Sequence, residues 1–328
     1  SNTFDTTNTG SAVSNREDLT DVLTILAPEE TPILSSANKE RASATVVEWT
    51  VDTLAAPSTA GISEGADVAA FTDKFASRAK LNNRIQKFRR DYMVSDLQEA
   101  VDSVGPAKIA QAEAKAIREL KRDVEATLAG TQDSATEDGA GTANQLRGLG
   151  DWIDDAGPSD VPAAYRTPAD SINKTTTTFS ETVLNTIISS IFRVSGSANN
   201  LMLVADTALR TVIADFARTT SSATDNVRTV NYDGNSGTIK LSVDLYESDH
   251  GVVSIVNGNP DCMPAVTGGT ANGAGYLVNP EYYGVHELIP MGSTRLPNLG
   301  GGERGFVDCA LTLGVYHPGA HGYIQAIT

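Results

Sequence analysis

The chain has 328 residues, of which 40% are hydrophobic and 6% aromatic, and its formal net charge is −16. This composition predicts a globular protein with apolar residues for one large core or two modest ones, and it excludes a disordered chain. The acidity argues against a surface that wraps DNA, because affinity for a phosphate backbone comes from neutralising it.

Neither a membrane nor a disulfide framework is predicted. No run approaches the roughly 18 apolar residues of a membrane-spanning helix, and residues 1–15 lack the basic and apolar regions of a signal peptide. We therefore expect no membrane partner and synthesis in a cytoplasm. Cys262 and Cys309 are too few for a disulfide scaffold, and we expect both to be buried thiols.

The N-terminal residues predict a polar arm and then a short amphipathic helix. Asn15 can cap this helix and Pro28 stops it. Its apolar residues recur at helical spacing: Leu19, Val22, Leu23 and Leu26.

Residues 45–96 predict a long arm with two extended legs. The outgoing leg alternates, with Val47, Trp49 and Val51 on one face and charged or polar residues, including Glu48 and Asp52, on the other. The return leg, residues 73–96, carries polar side chains on both faces, so we expect no core-facing stripe there. Two legs of about twenty residues would reach on the order of 60 Å, beyond a domain of this size. Such an arm needs a neighbouring molecule.

The stretch from Lys74 to Arg90 in the return leg carries seven basic residues and no acidic one, whereas the rest of the chain is acidic. Removing its seven basic residues leaves 18 basic against 41 acidic residues elsewhere. We therefore expect copies of the chain to attract one another, arm to body. The predicted intersubunit contacts are Glu48, Trp49, Asp52, Glu64, Lys74, Arg78, Lys80, Arg84, Lys87, Arg89 and Arg90.

Two other interpretations of this basic stretch remain open. A solvated, charged hairpin is the usual meaning of a run of charge. A nucleic-acid groove is less favoured, because such grooves pair basic residues with stacking aromatics, and only Phe88 and Tyr92 are available here.

The strongest helix prediction spans residues 106–129. Pro106 occupies its first position and Gly130 is expected to close it in a left-handed conformation. One narrow apolar stripe on a mixed-charge rod is typical of a spine under a sheet, and a coiled coil is less favoured because the stripe drifts.

The remaining sequence predicts a mixture of helices and strands, hence an α+β fold. A loop rich in Gly, Ala, Thr and acidic residues covers 131–143. Helices are expected after Ser180 up to Gly196 and from Asp206 to Phe216, with a buried strand at 201–205 between them. Strand patterns follow within 238–258 and 276–317, the latter interrupted by the Gly-rich loop 299–305.

No constellation predicts a catalytic, cofactor or metal site. His317 and His321 are four apart, but Pro318 and Gly319 break the helix that a metal pair at this spacing requires. His250 and His286 are isolated. An unrecognised hydrolase would rest only on unassigned acids and histidines, so we expect no enzyme.

Several segments in order resemble the major capsid proteins of tailed bacteriophages with the Hong Kong 97-like fold, specifically the SU-ten-type capsid family. They are APEETPIL at 27–34, VVEWTVDTLAAP at 46–57, NNRIQKFRRDYMVSDLQEAV at 82–101 and AKAIRELKRDVEATLAG at 114–130, followed by similar segments to near the C-terminus. The resemblance covers nearly the whole chain.

The resemblance implies a division of the chain into five parts. These are an N-terminal arm and short helix at 1–45, an extended loop at 46–92, a peripheral domain at 93–165 with its spine helix at 106–129, an axial domain at 166–275, and a return to the peripheral domain at 276–328.

The resemblance also implies pentamers and hexamers that close into an icosahedral shell around double-stranded DNA, in a virion assembled in the host cytoplasm. Portal, scaffold and possible decoration proteins are the implied partners, and no cofactor is. The chain lacks the long Lys/Glu-rich scaffolding segment of some relatives. Lys–Asn cross-links are known in one relative; Lys74 and Lys80 are candidates by position, although ionic contacts are favoured. The alternative function, a secreted adhesin or surface-layer protein, is disfavoured by the missing export signal.

Overall fold

A computed structural model describes residues 30–101, 108–174, 179–218, 244–264 and 274–325. The helix predicted between Asn15 and Pro28 lies outside these ranges. Within them, no helix is long and apolar enough to cross a membrane.

The described ranges contain six α helices and twelve strands. The helices are α1 Pro32–Ser36, α2 Asp96–Ala100, α3 Ile109–Ala129, α4 Leu149–Trp152, α5 Glu181–Ser195 and α6 Thr207–Arg218. The strands are β1 Asn38–Arg41, β2 Val46–Val51, β3 Ala79–Arg84, β4 Gln86–Val94, β5 Ile172–Asn173, β6 Leu201–Ala205, β7 Leu245–Glu247, β8 Val252–Asn257, β9 Gly275–Val278, β10 Tyr283–Leu296, β11 Glu303–Val315 and β12 Gly322–Ile324.

A four-stranded sheet in the order β1-β10-β11-β4 rests on the long helix α3. Strands β10 and β11 form an antiparallel hairpin, β4 is antiparallel to β11, and β1 is parallel to β10. The helix buries Leu120, Val124 and Leu128 in the same cluster as Val307 and Leu311 of β11. Helix α3 is therefore the spine under the sheet that its single apolar stripe predicted.

Both ends of the spine helix differ from their prediction. The helix begins at Ile109 after Lys108, and Pro106 lies outside the described residues. Gly130 has φ −67°, so the predicted left-handed cap is wrong. The backbone N–H of Gly150 donates to the Gly130 carbonyl at 3.0 Å. A Cβ on Gly148 would lie 2.2 Å from the same oxygen, so this close approach of two backbone segments holds Gly130 extended.

The return leg has a core-facing stripe of apolar residues, so the prediction that it has none is wrong. Phe88 and Tyr92 of β4 are buried in the main core, and Leu81 of β3 joins them. Arg90, between the two aromatics, obscured this pattern. Its side chain runs along α3 and its guanidinium binds Asp123 at the helix surface. A polar residue thus occupies the buried face of an edge strand without burying its charge.

A six-stranded sheet in the order β5-β12-β9-β6-β8-β7 forms the second layer. Its core cluster includes Leu184 and Ile188 of α5 and Leu209 of α6, which confirms these predicted helices. Helix α5 ends at Ser195, before Gly196, as the sequence predicted, and Gly196 caps it in a left-handed conformation with φ +74°. Strands β9 and β12 lie in this sheet while β10 and β11 lie in the other, so residues 276–328 contribute to both sheets rather than only returning to the first.

Truncation of Leu120 should show how much the spine helix contributes to the free energy of unfolding. Leu120 has no exposed surface, so Leu120→Ala is expected to lower the free energy of unfolding by about 2–5 kcal/mol. The exposed neighbour Lys121→Ala should change it by less than about 0.5 kcal/mol. Urea unfolding of the unassembled chain, followed by circular dichroism, measures both. Equal effects would contradict the assignment of α3 as the core spine.

Candidate intersubunit surface

The arm consists of a short two-stranded base and a long irregular loop. Strands β2 and β3 pair antiparallel from Val46 opposite Arg84 to Val51 opposite Ala79. Residues 52–78 form no strand, so the strand of the predicted outgoing leg ends at Val51 and the strands of the predicted return leg begin only at Ala79. The alternating pattern ends at Val51, and Pro57 further removes a backbone donor from any continued pairing. We call residues 52–78 the arm loop.

The arm base packs onto the body through Trp49. Its ring centroid lies 5.6 Å from that of Trp152 and 6.0 Å, edge-on, from that of Tyr316. Leu81, from the other strand, is buried beside them. Trp49 was predicted as an intersubunit contact, but its ring is engaged within its own chain, so it fixes the arm rather than presenting a free aromatic face.

Asn83 adds a polar lock beneath the same hairpin. Its side chain is fully buried; Nδ2 donates to the carbonyls of Arg147 at 3.2 Å and Leu313 at 2.7 Å, and Oδ1 accepts from the Arg147 backbone N–H at 2.8 Å. Higher up the arm, the Tyr165 hydroxyl donates to the Ser77 carbonyl. These bonds join the arm to β11 and to residues 147–165, which restricts its angle relative to the sheet.

The buried Arg147 side chain is the centre of an acidic cluster. Its guanidinium lies 2.7 Å from both Asp133 and Asp160 and stacks over the Trp152 ring at 4.8 Å. Burial opposes ionisation of Asp133, yet the bonds from Arg147 hold the pKa of that carboxyl below its usual value. Asp151 Oδ2 lies 3.0 Å from Arg147 Nε without hydrogen-bonding geometry, and burial, then repulsion from Asp133, raises its pKa.

Four of the seven basic arm residues are already paired inside the chain. Their partners are Asp52 for Arg78 at 3.1 Å, Glu48 for Lys80 at 2.7 Å, Asp308 for Lys87 at 3.3 Å, and Asp123 for Arg90 at 2.5 Å. Hydrogen bonds from Ser77 and then Arg78 lower the pKa of Asp52. These four residues have partners within the chain because the hairpin and sheet place acids beside them, and their contact with a neighbour stays a prediction.

The other three basic residues have no ion-pair partner within the described part of the chain. Lys74, Arg84 and Arg89 form no ion pair with another described residue, and neither does Glu64. Lys74, Glu64 and Arg89 are exposed and Arg84 is half-buried. These are the predicted site residues whose charges are free to meet a second molecule.

The arm loop exposes apolar side chains that touch no core of their own chain. Leu54 is 95% exposed, Phe71 93%, Ile62 88% and Val68 69%. Phe75 is also exposed and stacks under the Arg78 guanidinium at 4.0 Å. None of these residues is among the predicted intersubunit contacts; they sit in a loop rich in small residues, where the presence of any large apolar side chain was the available signal.

Of the histidines and cysteines noted in the sequence, His321 and His286 contact other residues of the chain, and Cys262 and Cys309 are buried. His321 is fully buried, and its Nδ1 accepts from the Asn279 N–H at 3.1 Å; burial lowers its pKa to about 3. His286 contacts the Tyr316 hydroxyl at 3.0 Å. Burial raises the pKa of Cys262 to about 11 and that of Cys309 to about 12. Across the described ranges, no group of three or more His, Cys, Asp or Glu residues could hold a metal ion.

The combination of a spine helix under one sheet, a second layered sheet and a projecting hairpin is that of the Hong Kong 97-like fold, which phage capsid proteins and encapsulins share. The chain is similar to the capsid protein of cyanophage P-SCSP1u, with a TM-score of 0.59, 14% identity and coverage of 96% of this chain and 94% of that one. It is similar to a Mycobacterium phage Che8 structure, with a TM-score of 0.55, 14% identity and coverage of 96% of this chain and 99% of that one. It is also similar to the holo-SrpI encapsulin of Synechococcus elongatus PCC 7942, with a TM-score of 0.55, 10% identity and coverage of 96% of this chain and 92% of that one.

The family model of the SU10 major capsid protein matches residues 2–328, and the chain belongs to that family. It is a shell-forming protein of a tailed-phage head. A comparison with curated proteins finds no match. Family membership over this length leaves the adhesin and surface-layer alternative without support, and it assigns the chain a structural role.

Removal of the Asn83 side chain should loosen the arm specifically. Asn83→Ala leaves three buried backbone groups without their partner, which is expected to cost about 1–3 kcal/mol. Amide exchange in β2 and β3 should accelerate by roughly tenfold or more, while exchange in α5 stays unchanged. Asn82→Ala is the matched control, because the Asn82 side chain bonds to no other described residue. Uniform acceleration across the chain, or none, would contradict the lock.

Proposed function

We propose that copies of this chain form pentamers and hexamers that close into an icosahedral shell, and that the arm loop of each copy lies over a neighbouring copy. One observation carries the proposal: a loop of 27 residues, 52–78, is exposed throughout and carries several large apolar side chains. Exposed apolar surface of this kind marks an interaction site.

The apolar residues of the arm loop supply the attractive part of the contact. Full burial of one such side chain is worth about 1.5–3 kcal/mol. Association and ordering of the loop consume a large share of this gain, so each arm contributes a modest net affinity. A closed shell repeats the contact around every symmetry axis, and the repetition makes the assembly stable.

The unpaired charges of the arm supply orientation. Lys74, Arg84 and Arg89 meet a chain whose overall charge is −16, and attraction between such surfaces speeds encounter and fixes register. The pairing of Lys80 with Glu48 in the same hairpin supports an ionic role for Lys80 over a covalent cross-link.

The proposed setting is a head assembled in the host cytoplasm around double-stranded DNA, with a portal, a scaffold and a possible decoration protein as further partners. Support comes from the family and from the net negative charge, which disfavours adhesion to phosphates. DNA is accordingly enclosed without sequence-specific contacts. No cofactor takes part in this role.

Polar replacement of the arm-loop apolar residues should abolish assembly without affecting folding. Leu54, Ile62, Val68 and Phe71, all changed to Ser, lose apolar area that only a neighbour can bury. We expect unassembled subunits by light scattering and negative-stain electron microscopy, with an unchanged thermal unfolding midpoint. Phe192→Ser, at a half-exposed position on α5, is the control and should still form shells. Closed shells from the fourfold variant at normal yield would refute the proposal.

Neutralisation of the unpaired basic residues should slow assembly and reduce its salt dependence. Charge attraction between exposed groups is screened within about 10 Å at 0.1 M salt. The triple variant Lys74→Ala, Arg84→Ala, Arg89→Ala is expected to assemble roughly tenfold more slowly at low salt and to respond less to added salt. The triple variant Lys108→Ala, Lys115→Ala, Lys121→Ala on the spine helix is the charge-matched control. Identical salt profiles for all three proteins, followed by light scattering, would show that apolar contacts alone control the rate.

A further inference from the structure

Glu125 of the spine helix is buried, with 1% of its surface exposed, and it faces the short helix α1. Its Oε1 accepts the backbone N–H of Ile33 and its Oε2 accepts that of Leu34, both at 2.9 Å. Thr31, which precedes α1, makes no capping bond with its own side chain. A carboxyl from a helix 90 residues away thus takes the place of a local cap.

Among the residues that the structure describes, no cation pairs with Glu125. Tyr283 of β10 lies on one side, with its hydroxyl bonded to Ser36 Oγ, and Cys262 lies on another. Arg122, three residues before Glu125 on the same helix, is paired with Asp261, and Arg90 is paired with Asp123. Helix α1 itself contributes no titratable side chain.

An ionised carboxyl held only by two neutral N–H groups is expensive to bury. The neutral acid avoids that cost and still offers an oxygen to each N–H. Burial raises the pKa of Glu125 to about 7 from its ordinary value of 4.5, although the bonds from Ile33 and then Leu34 oppose the rise. Separation of α1 from the spine would return the carboxyl to water, where the ionised form is solvated.

We propose that Glu125 is a proton-controlled latch between α1 and the spine helix, closed when its carboxyl is neutral and weakened when it is ionised. The latch sets how firmly residues 30–36 are held on the spine helix, directly before β1 joins the four-stranded sheet. It goes beyond the shell-forming role and does not depend on the arm.

The direction of the effect follows from linkage. A carboxyl whose pKa is higher in the closed state binds more protons there, so acid favours closure. Closure is most stable below pH 4.5, weakens as the pH rises, and stops changing above about 7. His286 of β10 lies 3.6 Å from Glu40 of β1, and protonation of His286 would strengthen that contact, so His286 needs its own control.

The test is amide exchange of residues 33–36 in the full-length, unassembled chain, corrected for the intrinsic rate at each pH. Between pH 5 and 7.5 their protection should fall by roughly ten- to one-hundred-fold, as a shift from 4.5 to about 7 requires. Glu125→Gln, which cannot ionise, should make protection independent of pH. Glu119→Gln on the exposed side of the same helix, and His286→Gln, should both behave like wild type.

A flat wild-type profile would overturn the latch, as would a Glu125→Gln profile with the wild-type slope or a His286→Gln profile that is flat. If Glu125→Gln does not fold, infrared spectra of the wild type decide. The carbonyl band of a protonated carboxyl should persist at pH 5.5, where ordinary acids are ionised, and disappear by pH 8. Absence of that band at pH 5.5 would also overturn the proposal.

Discussion

The buried attachment of the arm base to the body determines how the rest of the molecule can work. Trp49 packs on Trp152, Asn83 bonds to the backbone of Arg147, and that arginine is itself held by three aspartates. The base is therefore rigid, whereas the loop beyond it makes few contacts. A rigid base places the loop before any neighbour arrives, and this lowers the ordering cost of association.

Folding and assembly place opposite demands on this chain. Folding favours the burial of apolar groups, and the spine helix with its two sheets satisfies that demand within one subunit. The arm loop does not, since Leu54 and Phe71 are almost entirely in water. Such exposure is tolerated when a second copy covers it, and it makes the isolated subunit adhesive toward its own kind. Internal ion pairs such as Lys80 with Glu48 limit this adhesion to the loop.

Local patterns predicted the parts that depend on local sequence. The single stripe on α3 and the run Leu201–Ala205 gave a helix and a buried strand correctly, and the order of segments gave the family. Pairing between segments far apart in the chain could not be predicted from local patterns. Lys80 meets Glu48 only because β2 and β3 pair in one register, and β9 pairs with β6 although the two strands are far apart in the sequence. Asn83 resembled a surface residue because its partners lie 64 and 230 positions away.

The most direct test of the account is hydroxyl-radical footprinting of the arm loop in dissociated subunits and in closed shells. Leu54, Ile62 and Phe71 are exposed in the isolated chain and should be labelled strongly there. In shells we predict that labelling of these residues falls by roughly fivefold or more, while the half-exposed Phe192 outside the arm changes little, because the neighbour excludes water from the loop alone. Equal labelling of the arm loop in both states would contradict the claim that a second copy covers it.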